Sequence, residues 1–145
     1  MHVNEVLETC LYADDLEVAE KFYREVLGLR FVLREEGRHV FLRSGRGMVL
    51  LFRAEETLRA DSHLPQHGSR GPTHMAFAVP AASLDQWVSW LRDHRVEIER
   101  DHPWPNGARS LYFRDPAGNS LELASPRLWG LKERFGESSS PPAGR

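Results

Sequence analysis

The stretch 109-RSLYFRDPAGNSLELAS-125 reads as two β-strands around a tight turn, and the second strand carries one carboxylate, Glu122, between Leu121 and Leu123. In 115-DPAG-118 the Asp, Pro and Gly stand in the order a type I turn favours. A buried, unpaired carboxylate costs roughly several kcal/mol unless a cation or strong hydrogen bonds compensate it. Glu122 therefore faces water, or it faces a group that requires it.

Working outward, the strand pair closes a longer pattern. Ahead of it, 73-THMAFAV-79 predicts a strand, 82-ASLDQWVSWLRDH-94 a helix with Leu84, Trp87, Val88 and Leu91 on one face, and 96-VEIERD-101 another strand. The same order stands earlier in the chain. A strand is expected at 6-VLETCLYA-13. A helix follows at 14-DDLEVAEKFYREVLGL-29, N-capped by Asp14 or Asp15, with Gly28 suited to a left-handed C-terminal position. Strands are then expected at 30-RFVLRE-35, 38-RHVFLR-43 and 48-MVLLFR-53, the last two joined by the hairpin loop 44-SGRG-47.

The chain thus reads βαβββ twice, as an α+β protein. Residues 1–53 form the first unit, 54–72 a Pro- and Gly-containing linker, and 73–125 the second unit. Residues 126–145 make a C-terminal arm, with a short helix in 126-PRLWGLKERF-135 and a disordered tail from Gly136. One such unit covers a single sheet face with its helix. Two side by side are expected to curl into a cup whose open faces line one cavity, making one structural domain.

Alternation along each strand divides the residues between helix side and cup side. Val40, Leu42, Met75, Phe77, Leu111, Phe113, Leu121 and Leu123 are assigned to the helices. Glu8, Cys10, Tyr12, His39, Phe41, His74, Ala76, Ser110, Tyr112 and Glu122 are assigned to the cup. A strand that is bulky on one face and small and polar on the other indicates a pocket. Trp104, in 103-PWPNG-107, suits the pocket rim. His63 and His67 lie in the linker, where a solvated loop is the default reading, with closure of His67 over the pocket as the alternative.

Length and composition exclude several classes. The chain has 145 residues, a formal net charge of −2 and a pI near 6.4; there is no basic field for nucleic acid or an anionic membrane surface. A single cysteine, Cys10, leaves no intramolecular disulfide and no Cys-rich zinc site. No apolar run reaches membrane-span length, and the N-terminus lacks a signal-peptide pattern, so the expectation is a cytoplasmic protein.

The repeat, with FYREVLGL in the first half and GPTHMAFAVP and YFRDPAGNSLEL in the second, resembles the vicinal oxygen chelate superfamily, which includes glyoxalase I, extradiol dioxygenases, fosfomycin-resistance enzymes and bleomycin-binding proteins. The resemblance spans roughly residues 4–126. It implies a glyoxalase-like fold and a divalent metal (Mn, Fe, Zn, Ni or Mg) held by Glu8, His74 and Glu122. Matching 43-RSGRGMVLLF-52 onto 114-RDPAGNSLEL-123 sets Leu51 opposite Glu122, which leaves three protein ligands and open positions for water and substrate. The pocket is then lined by Cys10, Tyr12, Phe41, Leu51, Ala76, Trp104 and Ser110.

The resemblance further implies chemistry on a small molecule with adjacent oxygens. Glu122 acts as base and Tyr112 or His39 as a second proton handler, in an isomerase- or lyase-like reaction or a fosfomycin-type addition. Two other readings stand beside it: a metal-free binding protein of the bleomycin-resistance kind, and an extradiol-type dioxygenase. Each residue also has a plainer role. Glu8 can hydrogen-bond a pocket arginine, Cys10 can be a wall residue, and His39 a half-exposed strand residue. The unpaired strand edges of such units lead to an expected homodimer, with Trp129 and Leu131 as candidate contacts.

Overall fold

The computed structural model describes residues 1–61 and 64–135. His63 and the tail from Gly136, both assigned above, lie outside these residues. The chain divides into two compact units, Met1–Thr73 and His74–Arg145. The fold is α+β, each unit holding a four-stranded mixed sheet and one longer helix.

In the first unit the order is β1 (Glu8–Tyr12), α1 (Leu16–Glu25), β2 (Arg30–Glu35), β3 (His39–Ser44), β4 (Gly47–Phe52) and a single helical turn, α2 (Ala54–Thr57). The sheet order is β1-β4-β3-β2. β1 runs parallel to β4, and the other pairs are antiparallel. Asp15, not Asp14, caps α1 by accepting from the backbone N–H of Glu17 and Val18 at 3.1 and 3.0 Å. The helix ends at Val26, and the chain turns through Gly28 at φ 71°.

Leu11, Val40, Leu42, Val49 and Leu51 pack the helix side of this sheet, together with Leu16, Ala19 and Tyr23 of α1. Fully burying one such side chain contributes about 1.5–3 kcal/mol. A charged residue also enters this layer. Glu20 of α1 is buried and accepts from Arg24 on its own helix and Arg34 on β2.

The second unit repeats the plan: β5 (His74–Ala78), a short 3-10 turn at Ala81–Ser83, α3 (Leu84–Asp93), β6 (Ile98–Pro103), β7 (Arg109–Arg114) and β8 (Ser120–Ala124). A final 3-10 turn follows at Pro126–Trp129. The sheet order is β5-β8-β7-β6, with β5 parallel to β8. Leu84, Trp87 and Leu91 of α3 are buried, as are Leu111, Phe113, Leu121 and Leu123 of the sheet. Both second strands carry an irregularity, between Phe31 and Leu33 in β2 and between Ile98 and Arg100 in β6.

The hairpin loops correct one expectation. Arg43 pairs with Met48 across the 44–47 loop, whereas Arg114 pairs with Ser120 across 115–119. The second loop is one residue longer, so an ungapped match slips by one after the turn. In a strand a one-residue slip exchanges the faces. Leu51 opposes Leu11 and Val40 on the helix side and is only 1% exposed. It is therefore not a pocket residue. Leu50, which opposes Cys10 and Phe41, stands where Glu122 stands opposite Ala76 and Tyr112.

The residues expected to form the linker also contain α2. Its Thr57 is buried, and its hydroxyl donates to the Ala54 carbonyl at 3.2 Å.

Candidate metal and substrate site

Glu122 owes its position to the loop before it. Asp115 is buried and accepts from the backbone N–H of Ala117 (3.0 Å) and Asn119 (2.8 Å) and from Asn119 Nδ2 (2.9 Å). Gly118, at φ 84°, supplies the left-handed residue that closes the turn. The loop thereby sets β8 in a register that puts Leu121 and Leu123 on the helix side and Glu122 opposite them.

Glu122 is only 5% exposed. Its Oε2 lies 3.4 Å from His74 Nε2. His74 Nδ1 is 3.1 Å from the Ser120 carbonyl, an acceptor only, so Nδ1 donates to it and the ring is turned with Nε2 facing Glu122. A metal-binding imidazole is commonly oriented in this way. Glu122 Oε1 is buried without a hydrogen-bond partner. A buried acceptor beside an oriented imidazole nitrogen is a donor set suited to a divalent cation.

Tyr112 adjoins this pair. It opposes Glu122 across the β7–β8 ladder, and its ring lies 6.3 Å from that of His74, near parallel. Burial raises the Tyr112 phenol above its usual range, and the negative charge of Glu122 adds to the effect. The hydroxyl therefore stays protonated as a hydrogen-bond donor. Ser110 is fully buried and accepts from Trp104 Nε1 at 2.8 Å. The second unit thus brings His74, Tyr112 and Glu122 together, with Ala76 on the same face. Trp104, Pro105, Asn106, Leu128 and Trp129 join Tyr112 and Glu122 around a cavity of about 380 Å³.

The first unit gathers the other assigned residues. His39 stacks on Phe41 at 4.2 Å, and both meet Phe52 edge-on at 5.5 Å. His67, from the segment after α2, meets Phe52 at 5.0 Å and places Nδ1 2.8 Å from the Tyr12 hydroxyl. Burial lowers the His39 pKa, outweighing the opposite pull of Glu35, so the ring is held neutral. Burial raises the Cys10 thiol, with Glu8 adding to it, which disfavours the thiolate. Glu8 is exposed and opposes Met48, the position in the first sheet that corresponds to His74 opposite Ser120.

Among the described residues no group of three or more His, Cys, Asp or Glu side chains is gathered as for a metal. The His74–Glu122 pair is the assembled part. Leu50, Phe52, Leu128, Trp129 and Asn106 were missed as site residues. Phe52 was readable by alternation from His39 and Phe41. The others depended on loop length and on the path of the arm. No helix among the described residues is long and apolar enough to cross a membrane.

The chain is similar to several known proteins in sequence and in fold. A metallothiol transferase, FosB, from Staphylococcus epidermidis is 28% identical over 138 residues, covering 93% of this chain and 91% of that protein. A crystal structure of lactoylglutathione lyase from Agrobacterium tumefaciens superposes with a TM-score of 0.86 at 45% identity, covering 89% of this chain and 98% of that one. A fosfomycin resistance protein from Mesorhizobium loti shares the fold, with a TM-score of 0.60 at 21% identity over 86% of this chain and 93% of that one. The family model for the Glyoxalase/Bleomycin resistance protein/Dioxygenase superfamily matches residues 2–123, nearly all of both sheets, and the chain belongs to that superfamily.

Proposed function

We propose that the protein is a metal-dependent enzyme of the vicinal oxygen chelate type, acting on a small molecule with adjacent oxygens in a reaction with a thiol partner. The thiol follows from what two relatives share by name, a metallothiol transferase and a lactoylglutathione lyase. The observation that carries the metal is the buried, unpartnered Glu122 Oε1 beside the oriented Nε2 of His74. Glu8 is the proposed third donor, on the strength of its matched strand position.

Glu8, His74 and Glu122 would hold a divalent cation, which would supply Lewis acidity to the adjacent oxygens of the substrate. The chain's own groups handle the protons. Glu122 accepts a proton from the substrate carbon in an isomerisation or lyase reaction. Tyr112, kept protonated by burial and by Glu122, donates to an oxygen that gains charge, whether in that reaction or in thiol addition. His39, neutral and stacked among aromatic rings, is the proposed second proton handler.

The test is equilibrium dialysis of chelator-treated protein against Mn²⁺, Zn²⁺ and Ni²⁺. Wild type should bind a stoichiometric cation, His74→Ala should bind none, and Glu8→Gln should lose only a modest factor. Folded wild type that takes up no cation would overturn the proposal. It would favour the metal-free binding role, to which the Tyr12, His39, Phe41, Phe52 and His67 cluster is also suited.

We also propose a homodimer. The edge strand β2 exposes Phe31, Val32 and Leu33 at 45, 41 and 42%, and Leu131 is exposed as well. Sedimentation at high micromolar concentration checks it; a monomer there rejects it.

A further inference from the structure

The chamber beside Glu122 is unlike its floor. Tyr112, Glu122 and Asn106 present polar groups, but the rest of the wall is Trp104, Pro105, Leu128 and Trp129. Two of the four come from the arm that follows β8, outside the repeated βαβββ plan. The arm is fastened in place. Asn106 Nδ2 donates to the Arg127 and Leu128 carbonyls at 3.3 and 3.2 Å, while its Oδ1 accepts from the Ala108 N–H at 3.1 Å. Further along, Glu133 accepts from the Ala81 N–H at 2.9 Å. Gly130, at φ 68°, turns the chain directly after Trp129.

The facing wall is equally fixed. Trp104 donates its indole N–H to the buried Ser110 hydroxyl at 2.8 Å, and its ring meets His102 edge-on at 4.5 Å. Trp129, by contrast, is 78% exposed, so an indole held at the chamber mouth has most of its surface in water. A ligand that covers it gains apolar burial without having to order the arm, which the protein's own hydrogen bonds already hold.

We propose that Trp104, Leu128 and Trp129 form a specificity wall that selects substrates carrying a planar apolar group, such as an aryl ring, next to their adjacent oxygens. This rests on the reading above for the placement of those oxygens at Glu122, and it adds the class of substituent beside them. At about 380 Å³ the cavity lies in the range of small-molecule sites and holds one ring with a short oxygen-bearing group. Aromatic side chains at such a wall select flat groups through offset stacking and edge contacts.

Two probes with the same adjacent oxygens test it: benzohydroxamate, which carries a ring, and acetohydroxamate, which carries a methyl group. Both are titrated calorimetrically into Mn²⁺-loaded wild type, Trp129→Ala, Trp129→Phe and Leu128→Ala. Wild type should prefer benzohydroxamate by about tenfold or more. Trp129→Ala and Leu128→Ala should lose most of that preference while keeping acetohydroxamate and Mn²⁺ affinities, and Trp129→Phe should restore much of it. Wild type with no preference, or a preference untouched in Trp129→Ala and Leu128→Ala, overturns the wall. Protein that binds no Mn²⁺ instead defeats the proposed function. The wall is then decided in the metal-free protein by the same pair of probes: ring preference lost in Trp129→Ala supports it, and no ring preference rejects it.

Discussion

Replacing Glu122 by leucine should make the metal-free protein more stable. Glu122 is 5% exposed and its Oε1 has no hydrogen-bond partner. An unsatisfied buried acceptor costs about 1–3 kcal/mol. Leucine removes that cost and leaves an apolar side chain on the face shared with Ala76 and Tyr112. Against this stand the lost interactions with the Tyr112 hydroxyl across the β7–β8 ladder and with His74, 3.4 Å away but with its own side chain 51% exposed. Such a half-solvated pair contributes at most about 1 kcal/mol.

The net gain is therefore up to about 2 kcal/mol, which for a chain of this size raises Tm by up to roughly 8 °C. The assay is thermal unfolding followed by circular dichroism, with and without chelator. With saturating Mn²⁺ the order should reverse, because a ligand at 100 times its Kd stabilises wild type by about 2.7 kcal/mol while the variant gains nothing. A Glu122→Leu variant that melts below wild type in chelator would refute the reasoning. Glu122 would then be a satisfied structural residue and not a strained functional one.

Three further outcomes are expected. Asp115→Ala removes the acceptor of three hydrogen bonds in a buried loop, and should cost about 2–4 kcal/mol in urea unfolding; a loss below about 1 kcal/mol would show that the loop holds its register without Asp115. His39 is held neutral by burial, so its folded pKa lies below the unfolded value; its contribution to stability is full above about pH 6.5 and is lost as pH falls through the folded value. His39→Phe should flatten the stability decline between pH 7 and 5, and an unchanged slope would assign the decline to other groups. Asn106→Ala should loosen the arm by about 1 kcal/mol, read as faster proteolysis after residue 125 with Mn²⁺ affinity unaltered; protection equal to wild type would mean that Glu133 suffices as the tether.

Much of the fold was legible because period and punctuation agree. The α1 stripe of Leu16, Ala19 and Tyr23, the left-handed Gly28 and the Asp-Pro-Ala-Gly turn each act locally, and each forms as its residues dictate. His74 and Glu122 could be assigned to one face because bulky partners fix the other face of β5 and β8. Leu51 failed for a physical reason of the same kind. Strand faces are set by the hairpin that precedes them, and a loop of 44–47 is not interchangeable with one of 115–119. The arm was opaque because its position depends on Asn106 and Glu133 reaching across the fold, and polar tethers of that sort leave no periodic trace.

The parallel pairing of first and last strands also orders events in time. Among the described residues β5 pairs only with β8, and His74 lies 46 residues before the Ser120 whose carbonyl orients it. The β6–β7 and β7–β8 hairpins close locally, whereas β5 can dock only after β8 exists. Because long-range pairing must meet its loop-closure entropy before contacts reward it, the imidazole should reach the carboxylate among the last steps of folding. A nascent chain would therefore pass through a sheet lacking its first strand, and cation capture would report the completion of the unit rather than its nucleation.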